Sequence, residues 1–171
     1  MSEQPQTSPL ARKIEAVANI AIIIAAVAIV VVLVRNYTRK PETPPTVGVG
    51  AKLALKDVSW QSNPKSMVMV VSTVCHFCTE SAGFYRQLVT QCKQQHVHTI
   101  AVLPQSPAEA ESYLKNEGVV VDEVRQAQLH DIEVGGTPTL LLVDGSGVVR
   151  NVWVGKLASD GEQEVISKLG S

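Results

Sequence analysis

Charge is what the first third of this 171-residue chain lacks most: from Ala16 to Val34 there is no Asp, Glu, Lys or Arg, and only Asn19 is strongly polar. At about 1.5 Å of rise per residue, a helix over that run approaches the roughly 30 Å hydrocarbon core of a bilayer. With no polar face to interrupt it, the run does not suit a helix packed on the surface of a globular core. The rest of the chain lacks a basic excess. Residues 47–171 carry ten Lys and Arg against thirteen Asp and Glu, a weak acidity that argues against nucleic acid, whose binding needs a basic stripe. Cysteine is also scarce, and three in total exclude a disulfide-dense secreted scaffold. Internal repeats and low-complexity tracts are missing as well.

These absences divide the chain into a tail over 1–13, a transmembrane anchor over 14–35, a stalk over 36–46 and one globular domain over 47–171. A cleaved secretory signal is the competing reading of the apolar run, because Arg12 and Lys13 precede it and Ala26-Val27-Ala28 mimics a cleavage site. Cutting there leaves Ile29 to Val34 as an exposed apolar stub, so the uncleaved anchor is favoured, with Arg35, Arg39 and Lys40 closing it. Those flanking charges nearly balance Arg12, Lys13 and the amino terminus, so orientation is left open. Pro41, Pro44 and Pro45 make the stalk extended and semi-rigid.

Within the domain, Ser66 to Ser72 is an apolar run of strand length, as a central strand covered on both faces requires. A helix is predicted from about Cys75 into the low nineties, burying Phe84, Tyr85, Leu88 and Cys92 at three- and four-residue spacing. Thr99 to Leu103 reads as a second strand. Ser106-Pro107 then supplies an N-cap and a first-turn proline for a helix through Lys115 to Gly118. Asp122 to His130 reads as a brief helix. Thr139–Val143 and Val148–Val154, joined by Asp144-Gly145-Ser146-Gly147, read as a hairpin, and a last helix covers about Asp160 to Leu169. This order predicts an α/β domain: a mixed central sheet with helices on both faces.

Two motifs carry chemistry. Cys75-His76-Phe77-Cys78 follows the first strand, and a Cys-x-x-Cys between a strand end and a helix start brings two thiols within disulfide reach. Cys75, at the helix N-terminus, is the candidate nucleophile; Cys78, one turn on, is the resolving thiol. His76 is a candidate to stabilise a Cys75 thiolate. Phe77 is expected to face solvent or a protein partner rather than the core. Gly136-Thr137-Pro138-Thr139 stands at the mouth of another apolar strand, and X-Pro is the bond at which cis is least costly.

With Val49-Gly50-Ala51-Lys52-Leu53, Val70-Val71-Ser72 before the cysteines, and Val152-Trp153-Val154-Gly155, these motifs resemble the thioredoxin superfamily. The likeness is greatest to its membrane-tethered, extracytoplasmic thiol-disulfide oxidoreductases. The resemblance implies a thioredoxin-like fold after one N-terminal transmembrane helix, a cis Pro138, and Thr137 offering backbone hydrogen bonds to substrate. It implies attack by Cys75 and resolution by Cys78 on protein disulfides or thiols. It further implies a membrane or soluble electron donor, a domain outside the cytoplasmic membrane, and net reduction of substrate. No cofactor and no metal are implied. The sequence departs from the family in having Val74 where Trp is usual, no Pro between the cysteines, no carboxylate within Met67 to Val71, and Glu80 one position early.

Two other readings stay open at this level. Cys75-x2-Cys78-x13-Cys92-x3-His96 spells a zinc-like pattern, so a non-catalytic zinc or copper module is an alternative. A tethered assembly factor with a vestigial dithiol is another. His96, His98 and His130 read as exposed loop histidines.

Overall fold

A computed structural model of the chain describes residues 18–31 and 47–170. The chain divides into two units, Met1–Glu42 and Thr43–Ser171. In the first, residues 18–31 form a helix, α1, on which every residue is exposed, Ile22 by 66% and Ile24 by 63%. Among the described residues no helix is long and apolar enough to cross a membrane. The tail over 1–13, the stalk over 36–46 and both ends of the anchor expected over 14–35 lie outside the described residues.

The second unit is built on five strands: β1 (Lys65–Val70), β2 (His98–Leu103), β3 (Glu123–Gln126), β4 (Thr139–Asp144) and β5 (Val149–Val154). They lie in the order β3-β2-β1-β4-β5. β1 pairs parallel with β2, and β2 with β3, while β4 runs antiparallel to both β1 and β5. The mixed sheet expected from the sequence is therefore present. Its helices are α2 (His76–Glu80), α3 (Ala82–Gln94), α4 (Pro107–Asn116) and α5 (Ser159–Leu169).

Alternation along β1 splits the core in two. Met67, Met69 and Val71 face a cluster with Phe84, Tyr85 and Leu88 of α3, Ala110 and Leu114 of α4, and Val165 and Leu169 of α5. Val68 and Val70 face the other way, against Val47, Leu53, Leu55, Ile132 and Val134. Helices on both faces, expected from element order, are thus corrected: α3, α4 and α5 share one face. The second is covered by the extended segment from Val47 and by two 3-10 turns, Trp60–Ser62 and Leu129–Ile132. Parallel steps from β1 to β2 to β3 in one direction, each with a right-handed crossover, keep α3 and α4 on the same side.

The brief helix expected over Asp122 to His130 is also corrected. Glu123–Gln126 is strand β3, paired with Ile100 to Leu103, and a 3-10 turn follows. Helix-forming Glu, Arg, Gln and Ala dominate the segment, but pairing with β2 overrides propensity. Asp122 helps to hold the pairing, because its carboxylate accepts from the Thr99 N–H at 2.8 Å and the Thr99 hydroxyl at 2.6 Å.

The single helix expected after Cys75 breaks at Ser81. Its hydroxyl donates to the Phe77 carbonyl at 2.8 Å beside its own backbone N–H at 3.1 Å, a back-bond that bends helices. α4 begins as its residues dictate, with Pro107 in the first turn and Ser106 and Glu109 forming a reciprocal capping box.

The β4–β5 turn is organised by one carboxylate. Asp144 accepts from the Ser146 hydroxyl (2.6 Å), the Ser146 N–H (2.9 Å), the Val148 N–H (3.1 Å) and Arg150 Nε (2.7 Å). These bonds, the Ser146 hydroxyl's above all, hold its carboxyl well below its ordinary value of 3.8. Since folding lowers this pKa, the stabilisation is complete above pH 3.8 and is lost as pH falls below it toward the folded-state value. Acid titration of unfolding is expected to show a steeper loss of stability below pH 3.8 for the native chain than for Asp144→Asn; parallel acid limbs would refute the role of this turn.

Candidate active site

Register places the two motifs at one end of the sheet. β1 and β4 are antiparallel with Val70 opposite Thr139, so the chain leaving β1 and the chain entering β4 meet at the same edge. The first leads through Ser72, Thr73 and Val74 to Cys75, and the second arrives through Gly136, Thr137 and Pro138. The Thr137-Pro138 peptide is cis. The Pro138 carbonyl accepts from the Gly155 N–H at 2.7 Å, and the Thr139 hydroxyl donates to the Gly136 carbonyl at 2.7 Å.

Cys75 and Cys78 are joined in a disulfide with their Cα atoms 5.2 Å apart. Cys75 is the N-cap of α2, and its sulfur accepts from the Cys78 N–H at 3.2 Å. The Cys75 sulfur also lies 3.4 Å from the Thr137 carbonyl oxygen. Inside a disulfide that sulfur carries no hydrogen, so this is a contact which becomes an S–H···O bond on reduction. The two neighbours then act oppositely: the Cys78 N–H favours a thiolate, and the Thr137 oxygen favours the neutral thiol. Burial distinguishes the two sulfurs, since Cys75 is half-buried and Cys78 has no exposed surface.

The residues between them face outward. Phe77 is 55% exposed and Val74, just before Cys75, is 87% exposed. His76 turns along the helix, its Nε2 3.0 Å from Glu80 Oε1, and that carboxylate's other oxygen accepts from Lys156 Nζ at 2.8 Å. The Lys156 hydrogen bond is the chief cause holding the Glu80 carboxyl below its usual range.

Sequence reasoning missed a clamp on the loop before Cys75. Gln105 Nε2 donates to the Ser72 hydroxyl at 2.9 Å, and Gln105 Oε1 accepts from the Thr73 N–H at 3.4 Å. The Ser72 oxygen also accepts from the Val74 N–H at 3.4 Å. Gln105 comes from the β2–α4 connection, and a lone Gln before Ser-Pro gives no local signal of that reach. Lys156 was missed for the same reason.

The zinc-like spacing does not assemble. Cys92 has no exposed surface and sits in the helix-side cluster with Leu88 and Val97, while His96 is exposed. Among the described residues no group of three His, Cys, Asp or Glu side chains could hold a metal ion. His98 departs from the exposed reading, being half-buried at the start of β2 with Nε2 3.1 Å from Glu123 Oε2; His130 is exposed.

No family model and no curated protein matches this sequence. Solved structures do. One is a Chlorobium tepidum protein assigned as the thiol:disulfide interchange protein DsbE, 19% identical, with a TM-score of 0.56 over 74% of this chain and 100% of that one. Another is a thiol-disulfide isomerase from Corynebacterium glutamicum, at 15% identity and a TM-score of 0.55 over 77% and 99%. A third is the thioredoxin domain of a thiol-disulfide oxidoreductase from Bacteroides vulgatus, at 14% and 0.57 over 74% and 100%. The fold is thioredoxin-like. At these identities the likeness speaks for architecture, and the chemistry rests on the geometry of this site.

Burial pushes the Cys92 thiol up to about 12. After full reduction of the native chain, thiol labelling at pH 8 is expected to modify Cys75 at least a hundredfold faster than Cys92, which reacts only on unfolding. Comparable rates at the two cysteines would contradict the burial that removes Cys92 from the chemistry.

Proposed function

We propose that the chain is a thiol-disulfide oxidoreductase that exchanges disulfides with protein substrates through Cys75 and Cys78. One observation carries the reading: a half-buried sulfur bonded to a fully buried one, at the end of a central strand and beside the Thr137 carbonyl. The names borne by solved structures of the same fold, interchange protein, isomerase and oxidoreductase, support it. In the reductive direction the Cys75 thiolate attacks a substrate disulfide, forming a mixed disulfide and releasing one substrate thiolate. Cys78, deprotonated, then attacks the Cys75 sulfur, which restores the Cys75–Cys78 disulfide and releases the second substrate thiolate. An electron donor, membrane-bound or soluble, resets the pair. Exposed Val74 and Phe77 beside Cys75 offer apolar contact to a polypeptide rather than to a small polar thiol.

The working direction in this proposal is reduction, and the domain is held at the outer face of the cytoplasmic membrane. The uncharged run from Ala16 to Val34 supports the tether, as does the exposure of every residue on α1. Resemblance to tethered extracytoplasmic members supports the side and the direction.

Mixed-disulfide trapping in the full chain tests the roles of the two sulfurs. Cys78→Ala is expected to accumulate disulfide-linked proteins that reductant releases, at least tenfold above Cys75→Ala. Equal accumulation by both variants, or none by either, would refute the proposal.

A further inference from the structure

We propose that Glu80 is a positioning residue for the dithiol, holding the His76 imidazole back along α2 and away from the Cys75 sulfur. The inference rests on the dithiol reading above and deepens it: a carboxylate outside the Cys-x-x-Cys itself limits how oxidising the pair is.

The geometry is specific. His76 and Glu80 are four residues apart, the spacing at which side chains meet on one helix face, and Nε2 lies 3.0 Å from Oε1. The His76 side chain is 78% exposed, so packing alone does not fix the ring. Its only other ring neighbour among the described residues is Phe77, with centroids 5.8 Å apart. Glu80 is itself anchored from the opposite direction, because Oε2 accepts from Lys156 Nζ at 2.8 Å. Lys156 follows Gly155, whose N–H donates to the Pro138 carbonyl at 2.7 Å. One carboxylate thus connects His76, between the cysteines, to the strand end that supports the Pro138 loop.

The consequence follows from sign. His76 adjoins Cys75 in sequence, and an imidazole N–H turned onto that sulfur favours the thiolate, more so when protonated. A thiolate so favoured stabilises the reduced pair and makes the disulfide a better oxidant. With Glu80 in place, among the described residues the polar partner of the Cys75 sulfur that favours a thiolate is the Cys78 N–H at 3.2 Å. The arrangement agrees with a site that works as a reductant.

Equilibrium with glutathione reads this directly: the Cys75–Cys78 disulfide plus two glutathione thiols gives the dithiol plus one glutathione disulfide, with atoms and electrons balanced. The experiment compares the full chain with Glu80→Gln, with His76→Asn and with the double variant. Glu80→Gln is expected to raise the equilibrium constant toward the dithiol at least threefold, about 14 mV at 29.6 mV per tenfold. In the His76→Asn background the same substitution is expected to move the constant by less than half that fold-change on a logarithmic scale. Equal shifts in the two backgrounds would show that Glu80 acts by its charge alone, and no shift in either would remove it from the chemistry; both overturn the inference. A chain in which no variant exchanges with glutathione would instead overturn the dithiol reading on which it rests.

Discussion

The antiparallel pairing of β1 with β4 is the constraint from which the site follows. With Val70 opposite Thr139, the segment that leaves one strand and the segment that enters the other meet across a single hydrogen-bonded ladder. A one-residue slip would turn every side chain of β4 to the opposite face, exchanging the cluster of Leu140 and Leu142 with that of Leu141 and Val143. Leu140 to Val143 are apolar on both faces, so patterning alone holds this register weakly. The β4–β5 ladder and the turn gathered around Asp144 fix it further. Packing and turn chemistry far from the sulfurs therefore determine where Thr137 sits against Cys75.

Around that frame the site balances opposing effects on one sulfur. Once the disulfide is reduced, the Cys78 N–H favours the thiolate and the Thr137 oxygen favours the thiol, while the His76 imidazole is engaged by Glu80. Depth then separates the paired atoms, since Cys75 can be approached from solvent and Cys78 cannot. Cys92, the third cysteine, is kept out by complete burial. Gln105 secures the loop before Cys75 from a second element, so the position of that cysteine depends on the β2–α4 connection as well as on its own strand.

Much of this was legible in the residues, and the parts that were not share a cause. The apolar run of β1, the Ser106-Pro107 start of α4, and the hairpin around Asp144-Gly145-Ser146-Gly147 are local signals, and local signals survive folding. The paired cysteines and Gly-Thr-Pro were legible because each motif carries its chemistry within four residues. Asp122 to His130 misled because its helix-forming composition is overruled by a neighbouring strand edge. The break at Ser81 turns on one hydroxyl finding a carbonyl four residues back, in a stretch whose periodicity continues unbroken. Gln105 and Lys156 act across 33 and 76 positions of sequence, on Ser72 and Glu80, and nothing near either residue announces its partner.

Reversibility of one bond bears on the central claim most directly. A redox titration of the full chain, counting free thiols by mass after quenching, is expected to show a single two-electron transition between about −120 mV and about −300 mV. Its slope is expected to be about 30 mV per tenfold change in the dithiol-to-disulfide ratio, with Cys92 reduced throughout. A thiol count that stays constant over that whole range would contradict the account, because Cys75 and Cys78 would then be a fixed structural link or a pair that never closes.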